Sequence, residues 1–198
     1  MPQVIAYTVY GGLYVNMTNR CTCDCDFCLR NSTDSVGSAE SLWLDYEPPR
    51  EEVLGAVMAH DLEQFDELVF CGFGEPTVRA ADLLWVARRV KQAAPSLPVR
   101  VNTNGHANMI AGHDITPQMS GVIDRLSVSL NRPDKASYTR HVRPVYGESA
   151  FDGMLDFVAK AKLHVPEITL TVLGIVPPAE IEACRKIAED MGVGFRVR

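Results

Sequence analysis

The 198-residue chain reads as an α/β protein, a partial (β/α)6 barrel whose parallel sheet stays open on one side. Two observations predict this. Apolar runs of strand length alternate with helix-period segments along the whole sequence, the pattern of βα units joined by right-handed crossovers. Six such units curl toward a barrel but are too few to close eight strands.

The candidate strands span 13–17, 67–71, 99–103, 125–130, 168–173 and 194–197, and "VIAYTV" offers a further strand joined to the first through Gly11 and Gly12. An N-terminal hairpin over 3–17 would thus lead into a long loop over 18–47, all within one domain, 1–198. "PPREEVLGAVMAHDL" has prolines where a helix starts, acids in its first turn, and Val53, Leu54, Val57 and Met58 as an apolar stripe. The next helix carries Leu83, Val86, Ala87, Val90 and Ala94 on one face. Later ones carry Met154, Phe157, Val158 and Ala161, then Ile181, Cys184, Ala188 and Met191 before a terminating Gly192, which makes Cys184 a core thiol.

Hydrophobic residues at 46% and charged residues at 22% are those of an ordinary globular protein. A net charge of −6 argues against broad nucleic-acid binding, which needs Lys and Arg to neutralise phosphates. There is neither a basic, apolar leader nor a run near the roughly 20 apolar residues that span a bilayer, so the expected location is cytoplasmic. Disulfides are rare there, and six cysteines, four of them within 21–28, point instead to metal binding or catalysis.

Cys21, Cys25 and Cys28 form C-x3-C-x2-C just after the first strand, with Phe27 before the last cysteine. Ligands of a compact iron–sulfur core come closely spaced on one wrapping loop. The alternative is a noncatalytic module, iron–sulfur or a zinc knuckle, the latter with Cys23 or a distant residue completing four ligands. Further along, "CGFGEPT" ends a strand in a glycine-rich turn with Glu75, and "NTNG" holds Asn102 and Asn104 ahead of Gly105, which is also an ordinary turn sequence. Ser127, Ser129 and Asn131 recur at period two in "LSVSLN" and so share one face, either a wet barrel interior or, for Ser127, a solvent-facing edge. Arg132, Lys135, Arg140, His141 and Arg143 gather after that strand, as an anion subsite or as a solvated helix face. Trp43 and Tyr46, in the long polar stretch before the first helix, would either close over the cysteines or pack on the barrel rim.

"CTCDCDFC" resembles the cysteine signature of the radical SAM superfamily. The resemblance implies that Cys21, Cys25 and Cys28 ligate three irons of a 4Fe-4S cluster, that S-adenosylmethionine chelates the fourth, and that Cys23 is a bystander. It places Phe27 near the adenine, and Gly72, Gly74 and Glu75 at the methionine ammonium, although Phe73 separates glycines that are adjacent in the family motif. Asn102 and Asn104 become candidates for the ribose hydroxyls, Ser129 and Asn131 for ribose and carboxylate contacts. Arg143 is the favoured anion-binding residue, for the cosubstrate carboxylate or an acidic substrate, and His141 is a candidate general acid or base. Together with "RPVYGES" and "FRVR", these motifs look most like the small radical SAM proteins encoded next to TatD-family hydrolases, from about residue 14 to residue 198.

The implied chemistry is reductive cleavage of S-adenosylmethionine to a 5′-deoxyadenosyl radical that abstracts hydrogen from an unidentified substrate, with flavodoxin or ferredoxin as a one-electron donor. The chain stops just after the sixth strand, which disfavours the large dual-cluster and RNA-modifying branches and leaves the open barrel to be closed by substrate, a partner protein or a second copy. A glycyl-radical-enzyme activase is the alternative activity.

Overall fold

Period-two patterning gives every strand one face for the helices and one for the barrel interior. The computed structural model describes residues 3–198, so Met1 and Pro2 of the domain read over 1–198 lie outside it. Seven strands form one sheet in sequence order: β1 (Ala6–Val9), β2 (Gly12–Val15), β3 (Leu68–Phe70), β4 (Val99–Thr103), β5 (Arg125–Ser129), β6 (Glu167–Val172) and β7 (Gly194–Val197). Among the strands of the described residues only β1 and β2 pair antiparallel; β2 through β7 are parallel, and β7 does not return to β1. The open, partial barrel expected from the sequence is therefore the observed fold, and "VIAYTV" does supply the extra strand, turned by Tyr10 and Gly11 at positive φ.

Six helices connect the strands: α1 (Arg50–Met58), α2 (Ala80–Ala93), α3 (Ala107–Ala111), α4 (Lys135–Val142), α5 (Ser149–Ala161) and α6 (Pro178–Met191). Their apolar stripes bury the convex face of the sheet in one core with Leu13, Val15, Phe70, Val99, Val101, Leu126, Val128 and Leu170. Cys184 lies wholly inside that core, as its helical position predicts. The first helix is shorter than "PPREEVLGAVMAHDL" suggests, because Asp61 caps a separate 3-10 turn over Leu62–Gln64. Val53 and Val57, one turn apart, are fully buried, whereas Met58 lies about 100° further round the helix and is exposed.

The concave face is different in kind. Tyr14, Arg100, Asn102, Ser127 and Ser129 project there, so the polar serines of "LSVSLN" do line a barrel interior. A second, small core of Tyr7, Ala39, Leu42 and Phe73 covers this face at the β1–β2 flank. Among the described residues no helix is long and apolar enough to cross a membrane.

Candidate functional site

The chain leaves the sheet at Val15 and does not become helical again, apart from a 3-10 turn at Leu29–Asn31, until Arg50. That excursion is the expected 18–47 loop, and its two ends are stapled together. Arg79 donates to the carbonyls of Met17 (2.9 Å) and Pro48 (2.8 Å) while pairing with Asp82 (2.7 Å). Glu47 accepts from Thr18 and from Arg20 (2.6 Å). A side chain on Gly74 would strike the backbone carbonyls of Thr18 and Arg20, and one on Gly72 would strike Asn16. These glycines are required by the close crossing of two backbone segments at the mouth of the barrel.

The cysteine segment is held from the far side by the end of α4. Asp26 N–H donates to the His141 carbonyl (3.1 Å), Asp24 N–H to Val142 and Arg143, and Val145 N–H to Thr22. Asn104 reaches up from the end of β4, donating to Thr22 Oγ1 (2.9 Å) and facing Cys23 Sγ at 3.4 Å, while its own oxygen accepts from His106 N–H (3.0 Å). His106 is fully buried, between Thr22 and the Tyr138 hydroxyl, each 3.0 Å away, and burial pushes its pKa down to about 4.

Under the loop, at the C-terminal ends of the parallel strands, opens a cavity of about 250 Å³ lined by all four loop cysteines, Phe27, Cys71, Gly72, Gly74, Glu75, Asn102, Asn104, Ser129, Asn131 and Arg198. A hollow of about 600 Å³ lies at the opposite ends of the strands, between residues 58–66 and 93–98, away from these groups. Ligands of parallel α/β folds occupy the C-terminal end, and the smaller cavity has the chemistry.

Within the cavity the thiols are not equivalent. Cys23, the deeply buried one, donates toward Cys21, which lowers the Cys21 thiol below the ordinary range and, together with Cys25 and burial, pushes Cys23 far above it. Cys28 is raised by burial. Among the described residues, no three His, Cys, Asp or Glu side chains converge to hold a single metal ion. Glu75 is buried against three partners through Oε1, namely Thr77 N–H (3.0 Å), Thr77 Oγ1 (2.6 Å) and Thr103 Oγ1 (2.7 Å), while Oε2 accepts only from Asn104 N–H (2.7 Å). Burial raises its pKa and these hydrogen bonds oppose the rise. Oε2 keeps acceptor capacity. Asn131, in the left-handed region at φ 57°, has a buried Oδ1 with no partner among the described residues. A buried orphan acceptor at a cavity wall is the signature of a group waiting for a donor.

The structure thus gathers Cys21, Cys25, Cys28, Phe27, Gly72, Gly74, Glu75, Asn102, Asn104, Ser129 and Asn131 around one cavity. His141 and Arg143 stay outside it. His141 Nδ1 pairs with Asp26 (2.8 Å), and Arg143, half exposed at the left-handed end of α4, with Asp24 (3.6 Å). The basic run disperses, because Lys135 pairs with Asp152, and Arg132 turns inward to Glu180 (3.4 Å) with its guanidinium 5.9 Å from the Phe27 ring. Trp43 packs edge-on to Phe73 (5.1 Å) and Tyr46 bonds Glu52 (2.7 Å), so the aromatic pair sits on the rim and not over the cysteines. The strand expected over 67–71 ends at Phe70, and Cys71, just beyond it, lines the cavity. Sequence reasoning did not single out Arg79, Thr103, His106 or Arg198; of these only Arg198 carried a signal, the period-two basic pair in "FRVR".

Residues 15–191 match the Radical SAM superfamily, and the chain belongs to it. No curated protein matches the sequence. Among solved structures, the chain is similar to a radical SAM methyltransferase from Sphaerobacter thermophilus, at 15% identity and a TM-score of 0.63, over 97% of this chain and 57% of that one. It is also similar to SuiB of Streptococcus suis bound to S-adenosylmethionine (12% identity, TM-score 0.61, 93% of this chain and 37% of that one). A third is the methyltransferase TsrM of Kitasatospora setae with cobalamin and a [4Fe-4S] cluster bound (13% identity, TM-score 0.59, 94% and 34%). The chain therefore spans between about a third and somewhat over half of these proteins, and the likeness is one of fold.

Proposed function

We propose that this chain is a radical SAM enzyme in which Cys21, Cys25 and Cys28 hold a 4Fe-4S cluster and the adjoining cavity binds S-adenosylmethionine. The observation that carries this reading is the position of the C-x3-C-x2-C triplet, on a stapled loop after the first parallel strand, over a cavity with unused acceptors. Three thiolates, a free acceptor on Glu75 and an orphan amide oxygen suit an iron–sulfur cluster beside a ligand that brings ammonium and hydroxyl donors. Held there by the three cysteines, a reduced cluster would supply the electron for reductive cleavage of S-adenosylmethionine to methionine and a 5′-deoxyadenosyl radical, which would take hydrogen from substrate.

The chain's own residues bind and orient. Glu75 Oε2 accepts from the methionine ammonium, with Gly72 and Gly74 letting the turn come close. Asn131 Oδ1 accepts from a ribose hydroxyl, with Ser129 and Asn102 beside it, and Phe27 packs against the adenine. Asn104 is chiefly a brace for the loop, since its nitrogen and oxygen are both engaged. Cys23 is a bystander, its backbone N–H donating to Cys21 Sγ (3.4 Å). His141 and Arg143 hold the loop from outside, through Asp26 and Asp24.

On its motifs the chain resembles the small radical SAM proteins encoded next to TatD-family hydrolases. The reading makes it cytoplasmic, reduced by flavodoxin or ferredoxin, and closed at its open flank by a substrate or a partner protein.

Anaerobic reconstitution with iron and sulfide, chemical reduction and addition of S-adenosylmethionine should release 5′-deoxyadenosine, detected by chromatography. A wild-type protein with an intact cluster that releases no more than Cys28→Ala sinks the reading. Cys23→Ala should keep the cluster absorption that Cys21→Ala, Cys25→Ala and Cys28→Ala lose; loss in Cys23→Ala would overturn its place as a bystander.

A further inference from the structure

Four arginines face the concave side of the sheet or its rim, and only two are neutralised. Arg100 donates to both oxygens of Glu67 (3.0 and 2.6 Å), and Arg125 is shared between Glu67 (3.5 Å) and Glu167 (3.0 Å). Arg196 in β7 and Arg198 just beyond it have no carboxylate within ion-pair distance among the described residues. Instead both reach across β6 on the same face to β5: Arg196 Nη2 lies 3.5 Å from Ser127 Oγ and Arg198 Nη2 lies 3.1 Å from Ser129 Oγ. Although Arg198 as a residue is exposed at the strand end, its side chain lines the cysteine cavity. Arg196 lines a second recess of about 160 Å³ together with Ser127, Arg100, Arg125 and the carboxylates Glu67 and Glu167, which those two arginines already neutralise.

Each guanidinium has five donors, and one hydroxyl contact leaves most of them unused. Two like charges two residues apart on one strand repel, a cost that a bound oxyanion removes, and bidentate geometry suits arginine to carboxylate or phosphate. Their location matters equally, for the pair lies on the flank that the chain's own loop leaves uncovered and borders the cavity.

We propose that Arg196 and Arg198, with the hydroxyls of Ser127 and Ser129, form an anion-binding subsite that takes a carboxylate or phosphate group of the substrate and presents the rest of that molecule to the cysteine-lined cavity. This rests on the radical SAM reading for the identity of the anion as substrate. The subsite itself is a property of the chain and is measured separately. It also moves the anion-binding function expected of Arg143 to the other side of the cavity.

Calorimetric titration of the reconstituted full chain at fixed ionic strength, with S-adenosylmethionine present and absent, tests it, using inorganic phosphate and succinate as probes. Saturable single-site binding of at least one probe is expected, and which probe binds tells phosphate from carboxylate. Arg196→Gln and Arg198→Gln should each weaken it about tenfold, as loss of a charge-assisted contact does, with Arg196→Lys and Arg198→Lys keeping part of it. Circular dichroism identifies any variant that has not folded, and the lysine variants then decide. No saturable binding by wild type, or unchanged binding in the folded glutamine variants, overturns the proposal. So does a loss of S-adenosylmethionine affinity in Arg198→Gln that matches the loss of probe binding, which would assign Arg198 to the cosubstrate carboxylate. A wild type that binds a probe but neither iron nor S-adenosylmethionine would sink the enzyme reading and leave the subsite standing.

Discussion

The two flanks of the open sheet solve the same problem in opposite ways. At β1–β2 the concave face is covered by the chain itself: the segment after the cysteines folds back, and Leu42 and Ala39 join Tyr7 and Phe73 in a small apolar core, with Trp43 and Tyr14 at its edge. At β6–β7 the same face carries Arg196 and Arg198, and among the described residues no apolar core packs over them. An apolar edge must be covered to exclude water, whereas charged groups can remain hydrated until a ligand displaces the water. One flank is apolar and packed, and the other presents charged side chains that suit the proposed anion subsite.

The contrast is broken most sharply at Phe73. Phe73 is 7% exposed, and Phe73→Ala should cost about 3–5 kcal/mol in urea unfolding, as large-to-small core changes do. A loss below about 1 kcal/mol would mean that the small core is not cooperative with the large one. The seam between the flanks answers to acid. His106 is held neutral with a pKa lowered to about 4, so its contribution is full above the unfolded value of 6.5 and is lost as pH falls from there toward 4. The expected loss is about 3 kcal/mol on the iron-free protein. The pH slope of stability should flatten over that window in His106→Gln; equal slopes in the two proteins would remove His106 as the cause.

Gly74→Ala should cost about 1–3 kcal/mol by overpacking, since the added carbon meets backbone that cannot swing away. Thermal melts of wild type and variant check it, and an unchanged melting temperature would show that the loop crossing is loose. Smallest of all, Arg196→Gln or Arg198→Gln should shift unfolding by no more than about 0.5 kcal/mol, because both residues are exposed and, among the described residues, each makes one serine contact and no ion pair. A destabilisation as large as that of Phe73→Ala would make the open flank structural and erase the contrast.

Much of the site was legible because it is local. A C-x3-C-x2-C triplet, a GFGEP turn and a period-two run of serines are short patterns, and their placement in or just after strands follows from βα alternation. Phe73, which looked like an interruption of paired glycines, makes sense only beside Trp43 and Leu42, some thirty residues earlier in the chain. His141 and Arg143 illustrate the reverse. Their residue types suggested chemistry, but the C-terminal end of α4 turns them toward Asp26 and Asp24 on the outside of the loop.

The sequence by itself determined the alternation of strands and helices, hence the open parallel sheet, and the cysteine triplet that names the superfamily, because both are written in spacings shorter than about one turn or one strand. Only the tertiary structure decided which groups share the cavity. Glu75 meets Thr103 and Asn104, Arg79 ties residue 17 to residue 48, and Arg198 reaches Ser129 across an intervening strand. The physical reason is that a side chain's partners on a parallel sheet come from neighbouring strands whole βα units away, and strand order and register set them, neither of which local periodicity encodes.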